Sequence, residues 1–201
     1  TLHNHGTITS QHETVWLGSG SSGAHRSKGI KIYNYDGGII KTTDEGDSPI
    51  KGFHLVDFEF INYQGGTIEG DDRHAVNTEQ SEDINFTNNG TITATDKSAF
   101  YCKTCSDVTF NNTGTMTSGN NAVVISNGDN ISITNSGTIT ATADNSGLNI
   151  SSSDGTVVTN TGTISGVDHG MQSSNVDNST ITNHGTISAS SNSGYGLVYE
   201  N

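Results

Sequence analysis

A short phrase, Asn-x-Gly-Thr-Ile-Thr/Ser, returns along the chain at a nearly constant interval, and that interval narrows the folds open to it. It reads Asn4-His5-Gly6-Thr7-Ile8-Thr9 near the start and Asn88-Asn89-Gly90-Thr91-Ile92-Thr93 further on. More copies begin at Asn112 (with Met116 in the Ile place), Asn135, Asn160 and Asn183, and diverged copies run from Asn34 to Ile40 and from Asn62 to Ile68. The phrase glycines Gly66, Gly90, Gly114, Gly137, Gly162 and Gly185 are separated by 24, 24, 23, 25 and 23 residues. A unit of this size cannot bury its own apolar face, so regular copies stack into a solenoid.

Each period of about 24 residues holds three short strand-like pieces. In the first, Ile8, Ile40, Ile68, Ile92, Met116, Ile139, Ile164 and Ile187 point inward while the flanking threonines point out. The second follows a small residue, as in Ala75-Val76-Asn77-Thr78, Ala99-Phe100-Tyr101-Cys102 and Ala122-Val123-Val124-Ile125. The third places apolar residues two apart: Phe58/Phe60, Ile84/Phe86, Val108/Phe110 and Ile131/Ile133. A propeller blade needs four strands and roughly 40 residues, and an antiparallel sandwich gives no reason for a constant register. The expectation is an all-β chain, a right-handed parallel β-helix forming one domain over residues 1–201. Its coils are regular over 58–201 and irregular over 1–57, where insertions at 10–27 and 42–49 interrupt the period. Asn62, Asn88, Asn112, Asn135, Asn160 and Asn183 should stack as an amide ladder at the ~4.8 Å strand spacing. The glycine after each is expected to supply a positive-φ turn.

Only 29% of the residues are hydrophobic, a level that suggests disorder in a chain without a repeat. One narrow core shared by all coils removes that difficulty. The formal net charge of −13 argues against nucleic acid and against anionic membranes as partners, and no apolar stretch reaches the ~18 residues of a membrane span. All eight basic residues precede residue 104, whereas the seven acidic residues beyond it have no basic companion. Specific chemistry is therefore expected in the first half. The chain begins Thr-Leu-His without a visible signal peptide and ends at Tyr199-Glu200-Asn201 inside a second-strand segment. This reads as a processed product or a segment of a longer protein, and the partner of its end is either the rest of that chain or a second copy stacked end to end or side by side.

Three features carry possible chemistry. Asp44, Glu45 and Asp47 follow the first strand of one coil, and Glu69, Asp71 and Asp72 follow the same strand of the next. Stacking brings these carboxylates together, and bound Ca²⁺ or a raised carboxyl pKa would relieve the repulsion; a solvated acidic face is the plain alternative. With Arg73 and His74, Asp71 and Asp72 form a candidate catalytic set for a polysaccharide hydrolase or lyase, a reading by analogy with other β-helices. The outward residues Thr91/Thr93, Thr115/Thr117 and Thr138/Thr140 form two hydroxyl rows. They resemble those of β-solenoid ice-binding proteins, although β-propensity alone accounts for threonine on an exposed strand.

The phrase, as Ile133-Thr134-Asn135-Ser136-Gly137-Thr138-Ile139-Thr140-Ala141 and Val158-Thr159-Asn160-Thr161-Gly162-Thr163-Ile164-Ser165-Gly166, resembles the passenger repeats of autotransporters and other large secreted bacterial adhesins. The resemblance covers roughly residues 58–201. It implies a secreted or cell-surface protein of a Gram-negative bacterium, with a structural or adhesive, non-enzymatic role, a cell-surface or glycan ligand, and possible assembly into fibres or a surface layer. Cys102-Lys103-Thr104-Cys105 lacks the second pair of a structural zinc site. A redox motif would want a helix N-terminus to acidify the thiol, so a short-loop disulfide in an oxidising compartment is expected; close spacing of cysteines also fits the resemblance.

Overall fold

The computed structural model describes residues 1–18, 26–43 and 46–200. Among the described residues there is no helix, only short strands stacked in parallel into three sheets. The first sheet includes Glu82–Asn88, Ser106–Asn112 and Asp129–Asn135; the second Thr91–Ala94, Thr115–Ser118 and Thr138–Ala141; the third Phe100–Lys103, Val123–Ser126 and Ser146–Ser151. The chain visits the three in that order on every circuit, and the strands stack eight deep. The molecule is the expected three-sheet parallel β-solenoid.

Alternation along each strand selects the core. Ile40, Ile68, Ile92, Met116, Ile139 and Ile164 lie in one fully buried column. Phe60, Phe86 and Phe110, in register on the first sheet, stack at centroid separations of 4.9 and 5.0 Å, with Phe100 of the third sheet 4.5 Å from Phe86. Later coils continue the Phe column with Ile133 and Val158.

The Asn ladder extends further than the regular repeats. It runs without a break through Asn4, Asn34, Asn62, Asn88, Asn112, Asn135, Asn160 and Asn183, each Nδ2 donating to the next Oδ1 at 2.7–2.9 Å. Asn112 Nδ2 also reaches Gly114 O (3.3 Å) and Thr138 O (3.2 Å), so one buried amide ties its own turn to the coil above. The expected role of the glycine that follows is corrected. The phrase glycines do not adopt positive φ; among nearby glycines only Gly37 and Gly65, in the two longer diverged turns, do so. Glycine is required at the phrase position because a Cβ at Gly114 would stand 2.1 Å from Gly90 O of the coil below.

Left-handed residues lie instead at the corner from the third sheet back to the first. His54, Gln80, Thr104, Asn127, Ser152 and Asn175 make one positive-φ column, and Asp57, Asp83, Asp107, Asn130, Gly155 and Asn178 a second. Asp and Asn tolerate this region better than most residues. Within the expected insertion at 10–27, Val15–Leu17 is a strand of the third sheet paired with Ile50–Phe53, and Ser27–Lys28 pairs with Leu55–Asn62.

Candidate functional site

The chemically varied face lies on the third sheet, in its first four strands, Val15–Leu17, Ile50–Phe53, Val76–Glu79 and Phe100–Lys103. Register aligns Trp16, Lys51, Asn77 and Tyr101 in one outward row, with Phe53, Glu79 and Lys103 in the next. A short Asn between a long Lys and a Tyr leaves a hollow in that row. Asp47, Ser48, Arg73 and His74, from the turns entering the strands, close it into a groove of about 410 Å³.

Most groups in the groove are held. Lys51 Nζ pairs with Glu13 Oε1 at 2.8 Å and lies 5.1 Å from the Trp16 ring centroid. The hydrogen bond from Lys51 holds the Glu13 carboxyl below its usual pKa. Arg73 Nε donates to Gly46 O at 2.9 Å, and Asp47 Oδ2 lies 3.1 Å from His12 Nδ1. The His74 ring stacks on Tyr101 with centroids 4.1 Å apart. Its Nδ1 accepts from the Ser98 backbone N–H at 3.2 Å, which leaves the proton of the neutral ring on Nε2. One group is not held: Asn77 is only 6% exposed, its Nδ2 donates to Glu79 Oε1 at 3.3 Å, and its Oδ1 accepts no hydrogen bond. A buried acceptor left without a donor costs about 1–3 kcal/mol.

Burial, reinforced by the nearby charges of Lys97 and Arg73, pushes the His74 pKa down to about 4. Between about 4 and 6.5 the unfolded chain therefore binds the proton and the folded chain does not, so this group's contribution is full above 6.5 and is lost as pH falls through about 4. The expected loss approaches 3 kcal/mol, from ~1.4 kcal/mol per unit. His74→Gln should flatten urea-unfolding stability between pH 6.5 and 4, and NMR titration of the wild-type ring should give a midpoint near 4. A midpoint near 6.5, the ordinary value, would show that the ring is not stacked in place.

The four catalytic candidates do not converge. Arg73 and His74 line the third-sheet groove, whereas Asp71 lines a second groove of about 370 Å³ on the second sheet, beside Lys41 and Glu69. Asp72 lies in the turn between them. Of the six candidate Ca²⁺ ligands, Asp44 and Glu45 lie outside the described residues, while Asp47 faces one groove and Glu69 and Asp71 the other. Among the described residues no three His, Cys, Asp or Glu side chains gather to hold a metal ion.

The threonine rows are in register: Thr91, Thr115, Thr138, Thr163 and Thr186 in one, Thr93, Thr117, Thr140, Ser165 and Ser188 in the other. Towards the N-terminus the rows take in Ile39, Lys41 and Glu69, which interrupt the hydroxyl pattern. Cys102 and Cys105 are both buried and joined as a disulfide, with Thr78 Oγ1 donating to Cys102 Sγ at 3.0 Å. Closing so short a loop restrains the unfolded chain little.

Lys51, Asn77 and Tyr101 do not stand out in the sequence, although a signal is present. They stand third in Pro49-Ile50-Lys51, Ala75-Val76-Asn77 and Ala99-Phe100-Tyr101, 26 and 24 residues apart. Stacking that strand in the manner of the Ile and Asn columns aligns them. Comparison with known proteins found no match, whether among family models, curated proteins or solved structures.

Proposed function

We propose that the chain is a stiff, non-enzymatic adhesive segment of a secreted or cell-surface bacterial protein, which holds a binding groove on a uniform rod. The observation that carries this reading is the contrast between the two halves. From the fifth to the seventh circuit the outward rows of the third sheet are uncharged, Val124, Asn149 and Gln172 beside Ser126, Ser151 and Ser174, and the eighth adds Val198 and the single charge of Glu200. In the earlier circuits the same rows hold Trp16, Lys51, Tyr101, Phe53 and Glu79 around a hollow. The groove supplies donors, acceptors and rings, and His74 offers a donor where a general base would need a free nitrogen. The Cys102–Cys105 bond supports an oxidising location.

Assembly is part of the same reading. Leu197, 46% exposed, stands in the column where Met171 and Leu148 are fully buried. A further coil laid over it, whether of a longer chain or of a second copy, would cover that column and extend the Asn ladder.

Purified chain passed over a broad immobilised glycan panel and whole-cell surfaces is expected to be retained by at least one of them and to release no reducing ends or unsaturated products. Turnover of any polysaccharide would overturn the non-enzymatic reading. Loss of that turnover in Asp71→Asn or in His74→Gln would then assign it to the second-sheet or the third-sheet groove.

A further inference from the structure

We propose that the third-sheet groove is a carbohydrate site that takes one uncharged pyranose, a ring hydroxyl of which donates to Asn77 Oδ1. This rests on the adhesive reading above and names the ligand of the groove. The first observation is the acceptor itself. Asn77 points outward from an exposed sheet, yet is nine-tenths buried because its neighbours in register, Lys51 and Tyr101, stand over it. Its amide is anchored through Nδ2 to Glu79, so Oδ1 is presented with nothing to accept from. A fold that needed only to fill this position would carry Val, Thr or Ser there. An oriented acceptor at the floor of a concavity is the arrangement that a ligand donor completes.

Size and charge narrow the ligand. Lys51 and Tyr101 are two strand spacings apart, ~9.6 Å between backbones, so a groove of about 410 Å³ admits one six-membered ring rather than a folded segment. Lys51 is already neutralised by Glu13 at 2.8 Å, and Arg73 shares the lining with Asp47 and Glu79, while His74 is neutral with Nε2–H as a donor. Such a lining, slightly acidic and supplying both donors and acceptors, offers little to an anion. It suits a molecule whose every hydroxyl both donates and accepts. The Tyr101 and Phe53 rings add apolar surface for the C–H faces of a sugar. Lys51 and Tyr101 are both half-buried, so the hydroxyl reaches Asn77 when Lys51 leaves Glu13 or Tyr101 leaves the His74 ring.

The test titrates the whole chain by saturation-transfer NMR and calorimetry with methyl glycosides of glucose, galactose, mannose and N-acetylglucosamine, and with glucuronate. At least one uncharged glycoside is expected to bind in the millimolar range, and glucuronate more weakly. Asn77→Val should lower that affinity about tenfold or more, while the melting temperature holds or rises by ~2–4 °C, because an unsatisfied acceptor is removed. Asn149→Val, in the same row but beyond the groove, should leave binding unchanged. A melting temperature that falls in Asn77→Val would overturn the assignment by showing that Asn77 serves the fold. The assignment is equally overturned if no uncharged glycoside binds, if glucuronate binds best, or if Asn77→Val binds as wild type does. The two readings fail separately: retention of Asn77→Val on glycans or cells as strong as wild type removes the groove and leaves adhesion standing, whereas wild type held by no surface removes adhesion even if a monosaccharide binds.

Discussion

Asn112→Asp is expected to cost about 4–7 kcal/mol at pH 7, a large part of the ~5–15 kcal/mol by which domains are usually stable. The exchange replaces one NH₂ group by oxygen. Asn112 Nδ2 donates to Asn135 Oδ1, Gly114 O and Thr138 O, so an aspartate would set its second oxygen against three acceptors inside a side chain that is 1% exposed. The carboxylate escapes by staying protonated, and a carboxyl so buried has its pKa raised by ~3–5 units, at ~1.4 kcal/mol each. The pH dependence follows with a definite sign. A raised folded-state pKa in an acid destabilises fully above that pKa, and the penalty is relieved as pH falls towards the unfolded value near 4. Asn112→Ala makes the comparison: it orphans one group on Asn88 and one on Asn135, costs ~2–4 kcal/mol, and has no pH dependence of its own. Urea unfolding at pH 7 should rank wild type above Ala above Asp, and at pH 4 the gap between the two variants should close. A gap unchanged between the two pH values would mean that the ladder tolerates a charge and is open to water. In a solenoid each coil contacts only its neighbours, so hydrogen exchange should rise first in the strands Ser106–Asn112 and Asp129–Asn135.

The same ladder explains what could be read from the sequence. Ile68, Ile92 and Met116, or Asn62, Asn88 and Asn112, recur because a residue pointing into a narrow shared core meets the same surroundings in every coil; periodic environment makes periodic sequence. The strands, their order and their register follow from those columns. Outward positions are under no such constraint, so Lys51, Asn77 and Tyr101 do not resemble one another, and only the period learned from the core shows that they are neighbours. Asp71 and His74 mislead in the opposite way. Three residues apart in the chain, they lie on either side of the turn between the second and third sheets and line different grooves. Nothing in His54, Gln80 or Thr104 announces a left-handed residue, since the corner imposes positive φ on whatever side chain stands there. The phrase glycines are plain in the sequence, but close stacking rather than a left-handed turn is what requires them, and that difference decides what a substitution does.

Gly114→Ala is expected to destabilise by about 4 kcal/mol or more, as large an effect as one methyl group produces. Had the position required only a left-handed turn, alanine would cost the ~1–2 kcal/mol of that backbone conformation. The obstacle is the coil below: the new Cβ would lie 2.1 Å from Gly90 O and 2.7 Å from the carbonyl carbon of Asn89, backbone atoms with no rotamer to move into. Gly90 O also accepts the hydrogen bond from Thr115 N at 2.9 Å, so moving it away breaks the ladder bond that pairs the two coils. The column repeats the arrangement, with Gly137 and Gly162 each 2.1 Å from the glycine carbonyl beneath. Gly6 supplies the control. It holds the same place in the same phrase, lacks positive φ, and has no atom within 4 Å of its would-be Cβ. Gly6→Ala should therefore leave stability unchanged or raise it by ~0.4–1 kcal/mol through the unfolded chain. Urea unfolding of the two variants side by side separates the explanations. Equal small losses would mean that the phrase glycine is kept for its turn, whereas a collapse at Gly114 with none at Gly6 would mean that it is kept so that one coil can lie on the next.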